Sequence, residues 1–188
     1  MIGNSIAGFL GTGVAASTSS FESIATTNGN GSATTLSFTS IPSTFKHLQI
    51  RGISKDQTAG AAPALYMQFN SDTGSNYKSH YLQGSGVATS AGAAGGITYI
   101  YCGYPSPGNA ASGTMGASII DILDYTNTSK YTTARTLNGY DTNNAATGYV
   151  DIMSGVWLNT AAITRIDFNI NGDPFTSDTT FALYGIKG

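Results

Sequence analysis

Charge is scarce in this sequence. Only 10% of its 188 residues are Asp, Glu, Lys or Arg, and the formal net charge is −2, against about a quarter charged in an average globular domain. The basic residues are scattered singly from Lys46 to Lys187, so there is no clustered positive footprint for DNA, RNA or an anionic membrane. Cysteine is almost absent. Cys102 stands alone, which excludes an intramolecular disulfide and any multi-cysteine zinc site. It follows Ile100 and Tyr101 in a strand-like stretch, which predicts a buried thiol. Glutamate occurs once, as Glu22, so the other acidic groups are aspartates. No window holds a 3.6-residue apolar period with caps, which confines any helix to single turns. No basic residue precedes Lys46, and the apolar run from Met1 to Ala16 is interrupted by glycine. It fits neither a signal peptide nor a membrane span, and synthesis in the cytoplasm is the default expectation.

What the sequence does have is alternation. Leu36 and Phe38 alternate with Thr35, Ser37 and Thr39, Leu48 and Ile50 with His47, Gln49 and Arg51, and Met67 and Phe69 with Tyr66, Gln68 and Asn70. Period-2 patterning between Gly, Asn and Ser turns predicts strands with one dry and one wet face. Ile166, Phe168 and Ile170 repeat the pattern, and Phe181 and Leu183 resume it after Asn171-Gly172-Asp173-Pro174, which reads as a hairpin. Ala117 to Leu123 is apolar on both parities except at Ser118 and Asp121, and its β-branched residues favour a central strand covered on both sides over the alternative of a helix. Gly84 to Gly96 and Gly103 to Gly113 break the rhythm and read as long loops. The fold class is all-β, an antiparallel β-sandwich with jelly-roll-like character, over residues 21–188. Leu48, Ile50, Met67, Phe69, Ile166, Phe168 and Leu183 are expected to share its core.

Residues 1–20 differ in kind. Gly3, Gly8, Gly11 and Gly13 lie among Ile2, Ile6, Phe9, Leu10 and Val14. The glycines resist regular structure on their own, while the apolar side chains need burial. That conflict predicts an attachment arm laid on a neighbouring subunit or shell; a free terminus is the alternative.

The chemistry-bearing residues do not converge in the sequence. Asp121 and Asp124 are three apart, which on a strand sends them to opposite faces, so a glycosidase pair is not expected. Gly84-Ser85-Gly86 lacks the nucleophile elbow of a serine hydrolase. His47 and His80 have no metal-ligand partner at useful spacing. Asp167, Asn169, Asn171, Gly172 and Asp178 occupy positions of a calcium-loop pattern, and Asn70, Asp72, Gly74 and Asn76 form a second oxygen-rich run. Strand-like flanks and the missing bidentate glutamate favour hairpin turns in both cases. No catalytic residue, metal or cofactor is therefore expected, and the chain reads as non-enzymatic. The remaining candidates are aromatic. Tyr99, Tyr101 and Tyr104 sit beside the proline-containing stretch, while Tyr66, Tyr77 and Tyr81 bracket another. Such rings stack on sugars, and they also serve as strand formers and interface anchors.

Several stretches in order resemble a family of phage structural proteins common in marine and cyanobacterial phages. These are Phe21-Glu22-Ser23-Ile24-Ala25-Thr26-Thr27, then Ile41 to Arg51, Phe69 to Tyr77, Ile122-Leu123-Asp124-Tyr125, Gly155-Val156-Trp157 and Phe181 to Ile186. None is a catalytic or ligand motif. The resemblance implies a virion component on the particle exterior, partnered by capsid or tail subunits and by further copies of itself. Two roles follow as expectations: capsid decoration or cement, or else a tail-fibre or receptor-binding module recognising a host surface glycan. Low net charge suits either, because it weakens repulsion between packed subunits.

Overall fold

A computed structural model describes residues 19–60, 63–144 and 147–188. Every regular element among them is a β-strand: β1 (Phe21–Asn28), β2 (Thr35–Phe38), β3 (His47–Ser54), β4 (Tyr66–Phe69), β5 (Tyr77–Gly84), β6 (Thr89–Ile97), β7 (Ile100–Tyr101), β8 (Gly116–Ile122), β9 (Thr132–Asn144), β10 (Thr147–Trp157), β11 (Ile166–Asn169) and β12 (Thr180–Ile186). They form an eight-stranded sheet in the order β1-β12-β3-β8-β9-β10-β5-β6 and a four-stranded sheet in the order β2-β11-β4-β7. All strand pairs within the sheets are antiparallel. This is a β-sandwich with an eight-plus-four division of strands; that order does not by itself establish the jelly-roll wrapping. The predicted arm residues Ile2, Ile6, Phe9, Leu10 and Val14 lie outside the described residues.

The core forms where the inward parities of the two sheets meet. Leu48 and Ile50 of β3, Ile120 and Ile122 of β8, and Phe181 and Leu183 of β12 pack in one cluster with Leu36 and Phe38 of β2, Met67 and Phe69 of β4, and Ile166 and Phe168 of β11. The seven residues expected inside are all there. Phe168 and Phe181 stack across the interface at 4.6 Å with an interplanar angle of 7°.

Three expectations need correction. Gly84 to Gly96 is not a loop, because Thr89–Ile97 forms β6, paired with β5 from Gly84↔Thr89 to Tyr77↔Ile97. Glycine and alanine give no side-chain contrast between faces, so the alternation that marks a strand has nothing to write itself in. The Ile166-to-Leu183 stretch is not a hairpin. Asn171 and Gly172 do make a tight turn with positive φ, 58° and 89°. The chain then crosses to the other sheet, with Phe175 buried and its N–H donated to the Ala33 carbonyl. Finally, β8 is central but covered on one face only: Ser118, Ile120 and Ile122 are buried, whereas Ile119 and Leu123 are exposed.

Two polar details fix local geometry. Asn70 and Ser71 take positive φ at the β4 to β5 turn. The Asp72 carboxylate that follows accepts hydrogen bonds from Gly74 N at 2.8 Å, Asn76 Nδ2 at 3.0 Å and Trp157 Nε1 at 2.7 Å. On the buried face of β9, Asn138 donates to Ser118 Oγ and accepts from Tyr104 N. A Cβ at Gly103 would stand 2.2 Å from the Asn138 side chain, so glycine is required at this crossing.

Cys102 is fully buried, and burial pushes its thiol pKa up to about 12. A thiol in that state is not a nucleophile near neutral pH. Native protein at mildly alkaline pH is therefore expected to resist iodoacetamide and to be alkylated stoichiometrically in denaturant, as read by intact mass. Rapid labelling of the folded chain would contradict this placement.

Candidate functional site

Packing of the two sheets sorts the six candidate tyrosines. Tyr66 lies opposite Tyr101 in the β4–β7 pair, and the Tyr66 ring stacks on Tyr99 at 3.8 Å while Tyr99 meets Tyr101 edge-on at 5.2 Å. Tyr104 packs against Tyr149 at 5.3 Å, and Tyr149 against Tyr140 at 5.5 Å. Tyr81 lies near enough to Tyr101 and Tyr104 to add a little to the upward shift of their pKa values, and so links the two groups. Tyr77 is a correction. It shares its inward parity on β5 with Ser79, is fully buried against Trp157, and donates its hydroxyl to the Asp72 carbonyl. It cannot meet a ligand.

The remaining five, with Tyr140 and Tyr149, make a half-buried tyrosine shelf. Below it lies Asp151, fully buried, with one oxygen accepting from Gln83 Nε2 at 2.9 Å. Burial raises the pKa of Asp151. Its hydrogen bond to Tyr99 and its burial push Tyr101 up to about 12, and burial, with Tyr149 and Asp151 nearby, pushes Tyr140 to about 12. These phenols are protonated at neutral pH, so they serve as hydrogen-bond donors, acceptors and stacking surfaces, not as bases. Tyr140 and Tyr149 are hidden in the sequence because β9 buries Thr132, Thr136 and Asn138, and β10 buries Asp151. A strand that buries polar residues shows no dry parity to follow.

The candidate acids and histidines are engaged by different neighbours. Asp121 accepts from Gln49 Nε2 at 2.9 Å and pairs with Arg135 at 3.2 Å. Asp124 pairs with Lys46 at 2.9 Å and with Lys130, and the Lys130 and Lys46 ammonium groups hold its pKa down at about 2. His47 Nδ1 accepts from the Asp124 N–H. His80 is exposed on β5, four strand positions from β3 and so about 19 Å from the His47 strand. In the calcium-like stretch, Asp167 is engaged by Arg165 and by the Ser37 hydroxyl. In the second run, Asp72 is engaged by the three donors already described. Among the described residues, no three His, Cys, Asp or Glu side chains are grouped to hold a metal.

The most unusual surface is the outer face of the eight-stranded sheet. Its register places Arg51, Ile119, Leu137, Ile152, Leu82 and Ala91 side by side across β3, β8, β9, β10, β5 and β6. The adjacent row on the same face is Ile53, Ala117, Gly139, Val150, Gly84 and Thr89. The six large aliphatics among them, Ile53, Leu82, Ile119, Leu137, Val150 and Ile152, are 41% to 60% exposed. Scattered exposed aliphatics are ordinary, but six in two neighbouring rows form a contiguous patch. Beside it Val150 borders an open depression of about 600 Å³, lined also by Gly84, Gly86, Met115, Gly139 and Gly148, with Asp141, Tyr140 and Tyr149. Nothing in the sequence separates these aliphatics from core residues, since exposure depends on which sheet face a second layer covers. Compared with protein-family models, with curated proteins and with solved structures, the chain matches none.

Proposed function

We propose that the chain is a non-enzymatic structural protein on the exterior of a bacteriophage virion, where it decorates or cements the capsid, and that the aliphatic sheet face is the surface by which it is fixed in place. The observation that carries this reading is that face. A permanent aliphatic surface is a liability on a free monomer and an asset in an assembly, because covering it removes apolar area from water at roughly 25 cal/mol per Å². The low charge content supports it, since packed subunits repel one another little. The resemblance to phage structural proteins supplies the setting, with residues 1–20 as a second attachment element. Localisation in purified particles tests the reading: a copy number matching the capsid lattice is expected, a few copies at the tail would move the protein there, and absence from particles would overturn it.

The tyrosine shelf favours a second reading, a tail-fibre or receptor-binding module. Rings, hydroxyls and the Gln83 carboxamide are the groups that bind sugars. Much ring surface is already stacked on other rings, as in Tyr66 on Tyr99, which is why this reading comes second. Binding to a glycan array, abolished by Tyr81→Ala, would establish it.

A further inference from the structure

We propose that the partner on the aliphatic face is a second copy of this chain, the two eight-stranded sheets packing face to face about a twofold axis. This rests on reading that face as an assembly surface and goes beyond it by naming what covers it.

Electrostatics select the occupant. The charges lie at the rim of the patch: Arg135 pairs with Asp121, Arg51 lies over the rings of Phe21 and Tyr184 at 5.4 and 5.9 Å, and Asp141 stands at the hollow beside Val150. A partner recognised by charge finds little to grip, and an identical copy brings no like charge into the middle of the contact. With its charges at the rim, the centre of the face carries little of the like-charge repulsion that discriminates against a partner.

Area points the same way. The six aliphatic side chains expose on the order of 600 Å², at the upper end of what a monomer's largest apolar patch reaches. With the alanines, glycines and polar rim of the same two rows, the face approaches the roughly 800 Å² per partner of a standard stable interface. Its shape is also self-complementary. Val150 stands as a knob between Gly84 and Gly139, its cross-strand neighbours, and a glycine-lined hollow lies alongside. In a twofold contact, knob meets hollow twice, because residue i of one copy touches j of the other and j touches i.

Sedimentation equilibrium on the full chain, across low to high micromolar concentration, tests this. A dimer is expected for the wild type. Leu137→Glu and, as a milder change, Leu82→Ser should weaken association, the former about 100-fold or more, with near-UV circular dichroism unchanged because both side chains are half exposed. A monomeric wild type at high concentration, or variants that fold and still dimerise like wild type, would overturn the proposal. Incorporation of Leu137→Glu into particles separates the two levels. If the wild type is monomeric and the variant is excluded from virions, the face is an assembly surface for another virion protein and the second copy is wrong. If the wild type is monomeric and the variant enters virions normally, both fail.

Discussion

Phe168→Ala is expected to lower the free energy of unfolding by about 3 to 5 kcal/mol, and the melting temperature by on the order of 10 °C. Phe168 is fully buried, on the middle pair of strands in the small sheet, and its ring lies flat on Phe181 of the large one. Phe181 is held in turn by Phe175, edge-on at 6.0 Å, and by the absence of a side chain at Gly52, where a Cβ would fall 2.3 Å from its ring. Removing Phe168 therefore opens a cavity between rigid neighbours that collapse poorly, the costly case for a large-to-small change. Phe181→Ala should be coupled to it, so that a double-mutant cycle returns about 0.5 to 1.5 kcal/mol of interaction. A urea midpoint unchanged by Phe168→Ala would show that the two sheets do not meet at this ring.

The second large effect is expected at Asp72. Burial opposes its charge, but hydrogen bonds from Trp157, Asn76 and the Gly74 N–H outweigh burial and lower its pKa. Asp72→Ala leaves the indole N–H of Trp157, itself 1% exposed, without its acceptor and releases the β4–β5 turn. Loss of a charge-assisted bond to a buried donor costs about 2 to 3 kcal/mol. The pH dependence has a definite sign. The unfolded chain binds the proton at the ordinary aspartate pKa near 4 and the folded chain only below that. The stabilisation is thus fully present above pH 4 and is lost as pH falls through the depressed pKa. The Asp72→Ala protein should show a flatter acid limb in its stability curve. Trp157 is the chain's only tryptophan, so its fluorescence reports the site directly. An acid limb identical to wild type would mean that the carboxylate is not charged against the indole.

These two sites also show what the sequence discloses and what it hides. Alternation marked β3, β4, β11 and β12 and put Phe168 and Leu183 inside, because a strand between a core and solvent separates its residues by parity. It could not say that β11 and β12 belong to different sheets. Their partners, β2 and β4 for one and β1 and β3 for the other, are chosen by contacts far along the chain, and a local turn at Asn171-Gly172 forms in either case. The buried Asn138 and Thr136 disguised β9, and the small residues of β6 disguised that strand. Three candidate tyrosines, Tyr66, Tyr99 and Tyr101, come together because β4 pairs with β7. Tyr77 departs although it shares its parity on β5 with Tyr81: its end of the strand packs against Phe69 and Trp157, whereas Tyr81 stays exposed. The aliphatic rows were invisible for a related reason: Ile119 looks the same in sequence whether or not a second layer lies over it.

The sheet order has a consequence for how the chain comes to be folded. β8, β9 and β10 follow one another in sequence and in space, so this meander can form as soon as its own residues are available. β1 has a single strand neighbour, β12, with Phe21 opposite Ile186, and β3 has β12 on one side. Until β12 arrives, β1 has no strand partner, β3 carries an unpaired edge, and the core lacks Phe181 and Leu183. Pairings of such sequence separation are slow, since the closure entropy must be met before any contact offsets it. Folding is therefore expected to run from the meander outward, with insertion of β12 between β1 and β3 as its closing event. A chain cut short before Thr180 would retain the meander while leaving β3 open at one edge and β1 unpaired, the species most prone to pair with its neighbours.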